Sequence, residues 1–236
     1  MNIVITGASR GIGYELVKHF ARDMHHMVFI LSRNVKQMEQ LKKECLSVQP
    51  ASTIIPIACD LSDESSLQSG IQTIFKNTSS IDLLVNNAGA ILNKPFTQIK
   101  RNEMEYVYNV NVFSVVRLIQ ELLPAMDGKQ RAHIVNISSI GGVQGSVKFA
   151  GLSAYSSSKA ALVCLTECLA EELREKNISI NCLALGAVQT EMLEEAFPGY
   201  KAPVNASEMA GFIADFCLNA HKLMNGKIIP ISLTTP

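Results

Sequence analysis

Two groups of residues in this sequence have types and spacings suited to chemistry. The first is the glycine set of Thr6-Gly7-Ala8-Ser9-Arg10-Gly11-Ile12-Gly13, which lies between the β-branched run Ile3-Val4-Ile5 and a helically spaced stretch from Tyr14 to Phe20. Strand, glycine turn, helix is the order that makes an anion site. Glycine lets the backbone approach a ligand with no Cβ in the way, and the first N–H groups of the helix present positive charge to a pyrophosphate. The stretch reads as a dinucleotide-binding loop, with a merely tight connection as the alternative. The second group is Tyr155 and Lys159, four apart and therefore one turn apart on one helical face. A pair like this is usually surface decoration, so its meaning depends on what else reaches the same place.

The strand Met27 to Leu31 ends in Ser32-Arg33-Asn34. In a βαβ dinucleotide site an acidic residue at this point accepts hydrogen bonds from the adenosine ribose, whereas an arginine accommodates a 2′-phosphate. Ser32 and Arg33 stand here with no acid, and Arg10 inside the glycine loop is a second cation able to reach the same dianion. The pattern reads as NADP(H) rather than NAD(H), against the plainer alternative of two solvated surface arginines. Asp60, after a third strand, either helps cap the next helix or faces the adenine amine. Asn86-Asn87-Ala88-Gly89 closes a strand at its carboxyl end, where ligands of open α/β sheets bind. Asn111 sits among apolar residues as a helix-kink residue or a functional one. Ser138 and Ser139 end another strand, and only one of two adjacent strand residues can face a given site.

Strands alternate with helices along the whole chain, which predicts right-handed crossovers and a parallel sheet of about seven strands covered on both faces. Helices are expected over 35–48, 64–77 (with Ser62 as N-cap), 102–126, from about 155 to 176, and 206–219. Pro56 favours either an edge position for its strand or a late start. No linker or repeat divides residues 1–236, so a single domain is expected. Twenty-one basic and 21 acidic residues give no net charge, which argues against nucleic acid and anionic membranes as partners. The apolar runs are too short to span a membrane, and a strand that begins at residue 2 leaves no room for a signal peptide, so a cytoplasmic protein is expected. The six cysteines lie in apolar patterns and read as free, buried thiols; no metal site is expected.

Taken together, in this order, Thr6-Gly7-x-x-x-Gly11-x-Gly13, Asn86-Asn87-Ala88-Gly89, Asn111, Ser139 and Tyr155-x-x-x-Lys159 resemble the short-chain dehydrogenase/reductases, in their single-domain NADP(H)-type subgroup. The resemblance runs from Asn2 to about Ile231 and implies a doubly wound Rossmann fold. It also implies roles. Tyr155 would exchange a proton with the substrate oxygen, Ser139 would donate to the developing oxyanion, Lys159 would lower the phenol's pKa and hold the nicotinamide ribose, and Asn111 would bind a water linking Lys159 to solvent. Gly7, Ser9, Arg10, Ile12, Gly13, Ser32 and Arg33 would bind the phosphates and adenosine end. Asp60 and Leu61 would lie beside adenine, Asn87, Ala88 and Gly89 along the ribose, and Val188 and Thr190 at the carboxamide.

The activity implied is NADPH-dependent reduction of a small-molecule carbonyl, or the reverse alcohol oxidation. The other class to weigh is an NADP(H)-binding regulatory or scaffold protein, which would be expected to lack Tyr, Lys or Ser from the site. Segments 140–154 and 191–205 would line a mostly apolar pocket with Phe149, Leu152, Met192, Leu193 and Phe197. The sequence departs from the family at Leu185-Gly186, where Pro-Gly is usual, in the short segment after Thr190, and in a last stretch from Ile231 to Pro236 without the usual glycines. A homodimer through the helices at 102–126 and 155–176 is therefore as well supported as a homotetramer.

Overall fold

The computed structural model describes residues 1–128 and 131–233. Seven parallel strands form the central sheet: β1 (Asn2–Thr6), β2 (Met27–Ser32), β3 (Thr53–Ala58), β4 (Leu83–Asn86), β5 (Ala132–Ser139), β6 (Ile178–Leu185) and, last in the chain, β9 (Ile228–Ile231). Their spatial order is β3-β2-β1-β4-β5-β6-β9. The order reverses between β1 and β4, so the chain leaves a crevice at the carboxyl ends of these two strands. Both faces of the sheet are covered, which is why its strands read as unbroken apolar runs. Along β1, Ile3 and Ile5 face one core layer, with α1 (Gly11–Phe20), α2 (Val35–Val48) and α8 (Ala206–Asn219). Val4 faces the other, with α3 (Glu64–Asn77), α5 (Ser114–Met126) and α6 (Ser153–Glu172). Pro56 falls on β3, at the sheet's edge.

The structure corrects four expectations. The helix expected over 102–126 is α4 (Arg101–Tyr108), a π-helical turn over Asn109–Phe113, and α5. Ser114 N–H reaches back five residues to Asn109 O, while Ser114 Oγ takes the Val110 carbonyl at 2.8 Å. The N-cap of α3 is Asp63, which accepts from Ser66 N; Ser62 instead donates to Asp60 from both its backbone N and its Oγ, at 2.9 and 2.7 Å. Helix α6 ends at Glu172, four residues early. All six cysteines are free, but Cys164 and Cys168 are exposed. Helix α6 turns Lys159, Leu162, Thr166 and Ala170 inward, which carries Cys164 and Cys168 to its outer face.

Two short strands have no sequence counterpart. β7 (Val188–Gln189) pairs with β8 (Val204–Asn205), and the segment between them carries α7 (Glu191–Ala196). The pairing ties the two ends of this segment together and makes it a lid. The end of the stretch Ile231 to Pro236 lies outside the described residues from Thr234 onward. Among the described residues no helix is long and apolar enough to cross a membrane, and no group of His, Cys, Asp or Glu could hold a metal ion.

A buried histidine near the amino-terminal end of β5 has consequences for acid stability. His133 Nδ1 faces the Cys217 carbonyl at 2.9 Å and so carries the proton, while Nε2 accepts from Asn181 Nδ2 at 3.0 Å. The Asn181 amide is fixed by Met224 O and Lys227 N–H, so Nε2 faces a donor and cannot itself be protonated in place. Burial, with His221 and Arg131 nearby, lowers His133 from 6.5 to about 4. The unfolded chain therefore takes up a proton between these values that the folded chain refuses. Stability attributable to this residue is full above pH 6.5 and is lost as pH falls toward 4, by roughly 3 kcal/mol. Urea unfolding at pH 7 and pH 4.5 is expected to show the fall, and His133→Gln to flatten it.

Candidate active site

The crevice at the carboxyl ends of the strands is a cleft of about 470 Å³. At one end the glycine loop wraps from β1 into α1. Gly7 has φ +69° and lies against the 86–89 turn, where a Cβ would stand 2.7 Å from Ala88 Cα. Thr6 Oγ1 accepts from the backbone N–H of Asn87 and Ala88 at 3.1 and 3.0 Å, and Asn87 Nδ2 donates to Thr6 O at 2.9 Å. These bonds lock the two loops into one floor. Gly13 does not line the cleft; a Cβ there would meet Gly7 O at 2.4 Å, so its role is close packing of α1 on the loop.

Helix α1 begins with extended backbone at Arg10, no side-chain cap, and no acid in its first turn. Of the residues that carry its first N–H groups, Gly11 and Ile12 line the cleft. An anionic group such as a cofactor pyrophosphate fits this arrangement.

Ser9, Arg10, Ile12, Ser32, Arg33, Asp60 and Leu61 all line this half of the cleft. Ser32 Oγ donates to Ser9 Oγ at 2.8 Å, joining the first and second strand ends. The two arginines are each held by a residue the sequence did not single out. Arg33 donates to Tyr106 Oη at 3.1 Å from α4, and its charge helps keep the Asp60 carboxyl below its ordinary range, after the Ser62 hydroxyl. Arg10 makes a two-pronged ion pair with Glu195 of α7, tying the glycine loop to the lid. No local pattern signals either partner, since Glu195 is 185 residues away from Arg10.

At the other end Ser139, Tyr155 and Lys159 meet. The Ser138 hydroxyl is taken up by Lys159 O, to which it donates at 3.0 Å, and so serves the packing of β5 on α6. Ser139 Oγ accepts from Gly141 N–H at 3.3 Å and acts on the Tyr155 phenol, so of the two serines that border the cleft it is the one beside Tyr155. Burial raises the Tyr155 phenol, and the Ser139 contact acts against that rise. Lys159 is buried, donates to Ile137 O at 2.8 Å, and is lowered by desolvation to about 8. Its Nζ is 6.0 Å from the Tyr155 ring centre. Gly89 passes close by: a methyl there would lie 3.5 Å from Lys159 Nζ and 3.6 Å from Asn111 Oδ1.

Asn111 lies behind the cleft, fully buried in the π-helical turn. Its Oδ1 accepts from Ala90 N–H at 2.7 Å, and its Nδ2 donates to Ala90 O and Ser158 Oγ at 2.9 and 2.8 Å. Both amide protons are spent on structure, so the side chain can offer a water only an acceptor. Val188 and Thr190 line the cleft at the lid's base, and Thr190 Oγ1 caps α7 by accepting from Leu193 N–H at 3.2 Å. Phe149, Leu152, Met192, Leu193 and Phe197 line it as expected, joined by Ile91, Ile140 and Tyr200.

The profile described as short chain dehydrogenase matches residues 1–201. The chain belongs to the short-chain dehydrogenase/reductase family. The chain is 33% identical over 192 residues to the fatty acyl-CoA reductase of Acinetobacter baylyi, covering 80% of the chain and 63% of that protein. It spans 58% and 60% of two further curated relatives. Its fold matches L-sorbose reductase from Gluconobacter frateurii complexed with NADPH and L-sorbose, with TM-score 0.88, 22% identity, and coverage of 99% and 95% of the two chains. It also matches RhlG of Pseudomonas aeruginosa in an NADP complex, with TM-score 0.85, 27% identity, and coverage of 98% and 94%. Structures of this fold hold NADPH, NADP or NADH, so a nicotinamide cofactor goes with the family.

Proposed function

We propose that this dehydrogenase/reductase is an NADPH-dependent carbonyl reductase. The observation that carries the reading is the meeting of Tyr155, Ser139 and Lys159 at an apolar end of the same cleft that starts at the uncapped helix α1. When bound, NADPH supplies a hydride from nicotinamide C4 to the carbonyl carbon. The protein's share is position, field and a proton. Tyr155 gives its phenolic proton to the carbonyl oxygen as that oxygen gains charge. The bare cleft favours the neutral phenol, which is the form a reductase needs. The Ser139 hydroxyl, which acts on the phenol in the bare cleft, would turn its proton to the same oxygen once substrate is bound. Lys159 keeps a positive charge beneath Tyr155 at neutral pH and has donors left for the ribose hydroxyls.

The residues that would hold the cofactor follow the cleft. Gly7, Ser9, Ile12 and the start of α1, packed through Gly13, take the pyrophosphate. Ser32 and Arg33, with Arg10, take the 2′-phosphate. Asp60 and Leu61 flank adenine, Asn87 to Gly89 follow the ribose, and Val188 and Thr190 meet the carboxamide. The absence of an acid at residues 32–34 supports NADP(H), as does the NADP bound to the 27%-identical RhlG. Asn111 acts as the brace of the α4–α5 break beneath Gly89 and as an acceptor for a water on the way to Lys159.

A panel of ketones and aldehydes, assayed for NADPH oxidation with NADH in parallel, tests this reading; binding without turnover of any member would leave a cofactor-binding protein instead. Reductive kcat/KM is expected to fall as pH rises through about 8, where Lys159 loses its charge. Lys159→Arg, which stays charged, is expected to move that inflection upward by more than one pH unit.

A further inference from the structure

We propose that Glu195, on the lid helix α7, is a specificity-determining residue for the cofactor: its carboxylate competes with the 2′-phosphate for Arg10, so NADPH unlatches the lid from the glycine loop and NADH does not. This rests on the reading of Arg10 as a 2′-phosphate ligand. Arg10 turns both prongs of its fork, Nη1 and Nη2, to the two carboxylate oxygens of Glu195, the second at 3.2 Å. That is the end-on face a phosphate would use for a bidentate contact, and Glu195 leaves open only the Nε side. A second carboxylate stands one turn away on the same face of α7. Glu191 lines the cleft, and its Oε2 lies 3.5 Å from where a methyl on Gly11, the first residue of α1, would be. Glu194, between them, is taken up by Gly199 N–H, from which it accepts at 3.0 Å.

The lid thus sets two glutamates against the cationic end of the cleft, while Met192, Leu193 and Phe197 of the same segment line its apolar side. Next to Glu195 the lid has a second, neutral hold, the bond from Asn93 Nδ2 to Ala196 O at 2.8 Å. A phosphate dianion competes for the first hold and has no quarrel with the second. Magnitudes decide which partner keeps Arg10. The Arg10 and Glu195 side chains are 46% and 60% exposed, and a pair so exposed is worth at most about fivefold in affinity. A charge-assisted contact to a phosphate is worth about tenfold or more. The phosphate therefore takes Arg10, at a cost that NADH, with a hydroxyl in the same place, does not meet.

The test is calorimetric binding of NADPH, NADH and the nicotinamide-free probe adenosine 2′,5′-bisphosphate. Glu195→Gln is expected to tighten NADPH and the bisphosphate by about three- to fivefold and to leave NADH within about 1.5-fold. Glu194→Gln, the control on the same helix, is expected to move none of them. In an Arg10→Gln background the gain from Glu195→Gln is expected to vanish. Hydrogen exchange over residues 191–197 reads the lid directly: in the native chain the bisphosphate is expected to speed it, and 5′-AMP to leave it unchanged. Exchange that the bisphosphate slows or leaves alone overturns the unlatching. If Glu195→Gln leaves NADPH binding unchanged or weaker while Arg10→Gln weakens it, the competition is overturned and Arg10 stays a phosphate ligand. Equal tightening of NADPH and NADH by Glu195→Gln also overturns it, because Glu195 then acts only as a general charge near the pyrophosphate. If Arg10→Gln alters the binding of neither cofactor, the reading of Arg10 falls and the role of Glu195 falls with it.

Discussion

Tyr155→Phe is expected to lower kcat by about 10³-fold or more while leaving the Kd for NADPH within about twofold. The expected size follows from removing a positioned general acid, which is worth about 10² to 10⁴, together with the loss of the hydroxyl that Ser139 meets. Phenylalanine preserves the ring that packs in the cleft, so the change is one oxygen and one proton. Lys159 stays tied to Ile137 O and Ser138 to Lys159 O, and neither bond depends on the phenol. Stopped-flow measurement of NADPH oxidation under single-turnover conditions separates the hydride step from product release. A variant that keeps even a tenth of the native rate with any ketone the native enzyme reduces would remove Tyr155 from the chemistry.

The second large effect concerns the cofactor. Arg33→Ala, alone or combined with Ser32→Asp, is expected to raise the KM for NADPH by about 10- to 100-fold, with the KM for NADH moving less than about threefold. A charge-assisted hydrogen bond contributes about 1.5–3 kcal/mol, and the phosphate offers Arg33 more than one. Arg10 is expected to make up only part of the loss, because its guanidinium also pairs with Glu195. Tyr106 is expected to keep Arg33 aimed into the cleft, since it holds the guanidinium from the opposite wall. Steady-state kinetics with both cofactors at fixed substrate decides the matter. Equal effects on the two would show that Arg33 does not meet the 2′-phosphate.

Much of this arrangement was legible in the sequence for a physical reason. A parallel sheet covered on both faces demands apolar runs such as Ile3-Val4-Ile5 and Val28-Phe29-Ile30-Leu31, which mark the strands. Helices α2 and α3 fall where their periodicity places them, residues 35–48 and 64–77. Gly7, Asp60 and Asn87 follow strand ends and Ser32 and Ser139 close their strands, and parallel strands bring all those ends to one edge of the sheet. The rest depends on geometry that periodicity does not encode. A π-helical turn at Asn109–Phe113 changes the backbone hydrogen-bond spacing by one residue while the apolar pattern runs on through it. The two-residue strands β7 and β8 are too short to show alternation. Glu195 and Tyr106 meet their arginines only after the chain has folded, and nothing near them in sequence announces it. The exposed cysteines show the converse error: an apolar pattern on α6 says that one face is buried but not which.

The sheet ends on both sides in a strand with a proline at its middle. Pro56 stands in β3, in register with Ile30, and Pro230 stands in β9, in register with Ala184. Each removes one backbone donor from an outer strand, where a free N–H would invite another chain to add on. The protein thus carries, at the two places where its hydrogen-bond ladder stops, a built-in terminator against open-ended strand addition. Edge-to-edge strand addition is therefore disfavoured at these two places, and concentrated solutions of the chain are expected to resist growing into fibres from them.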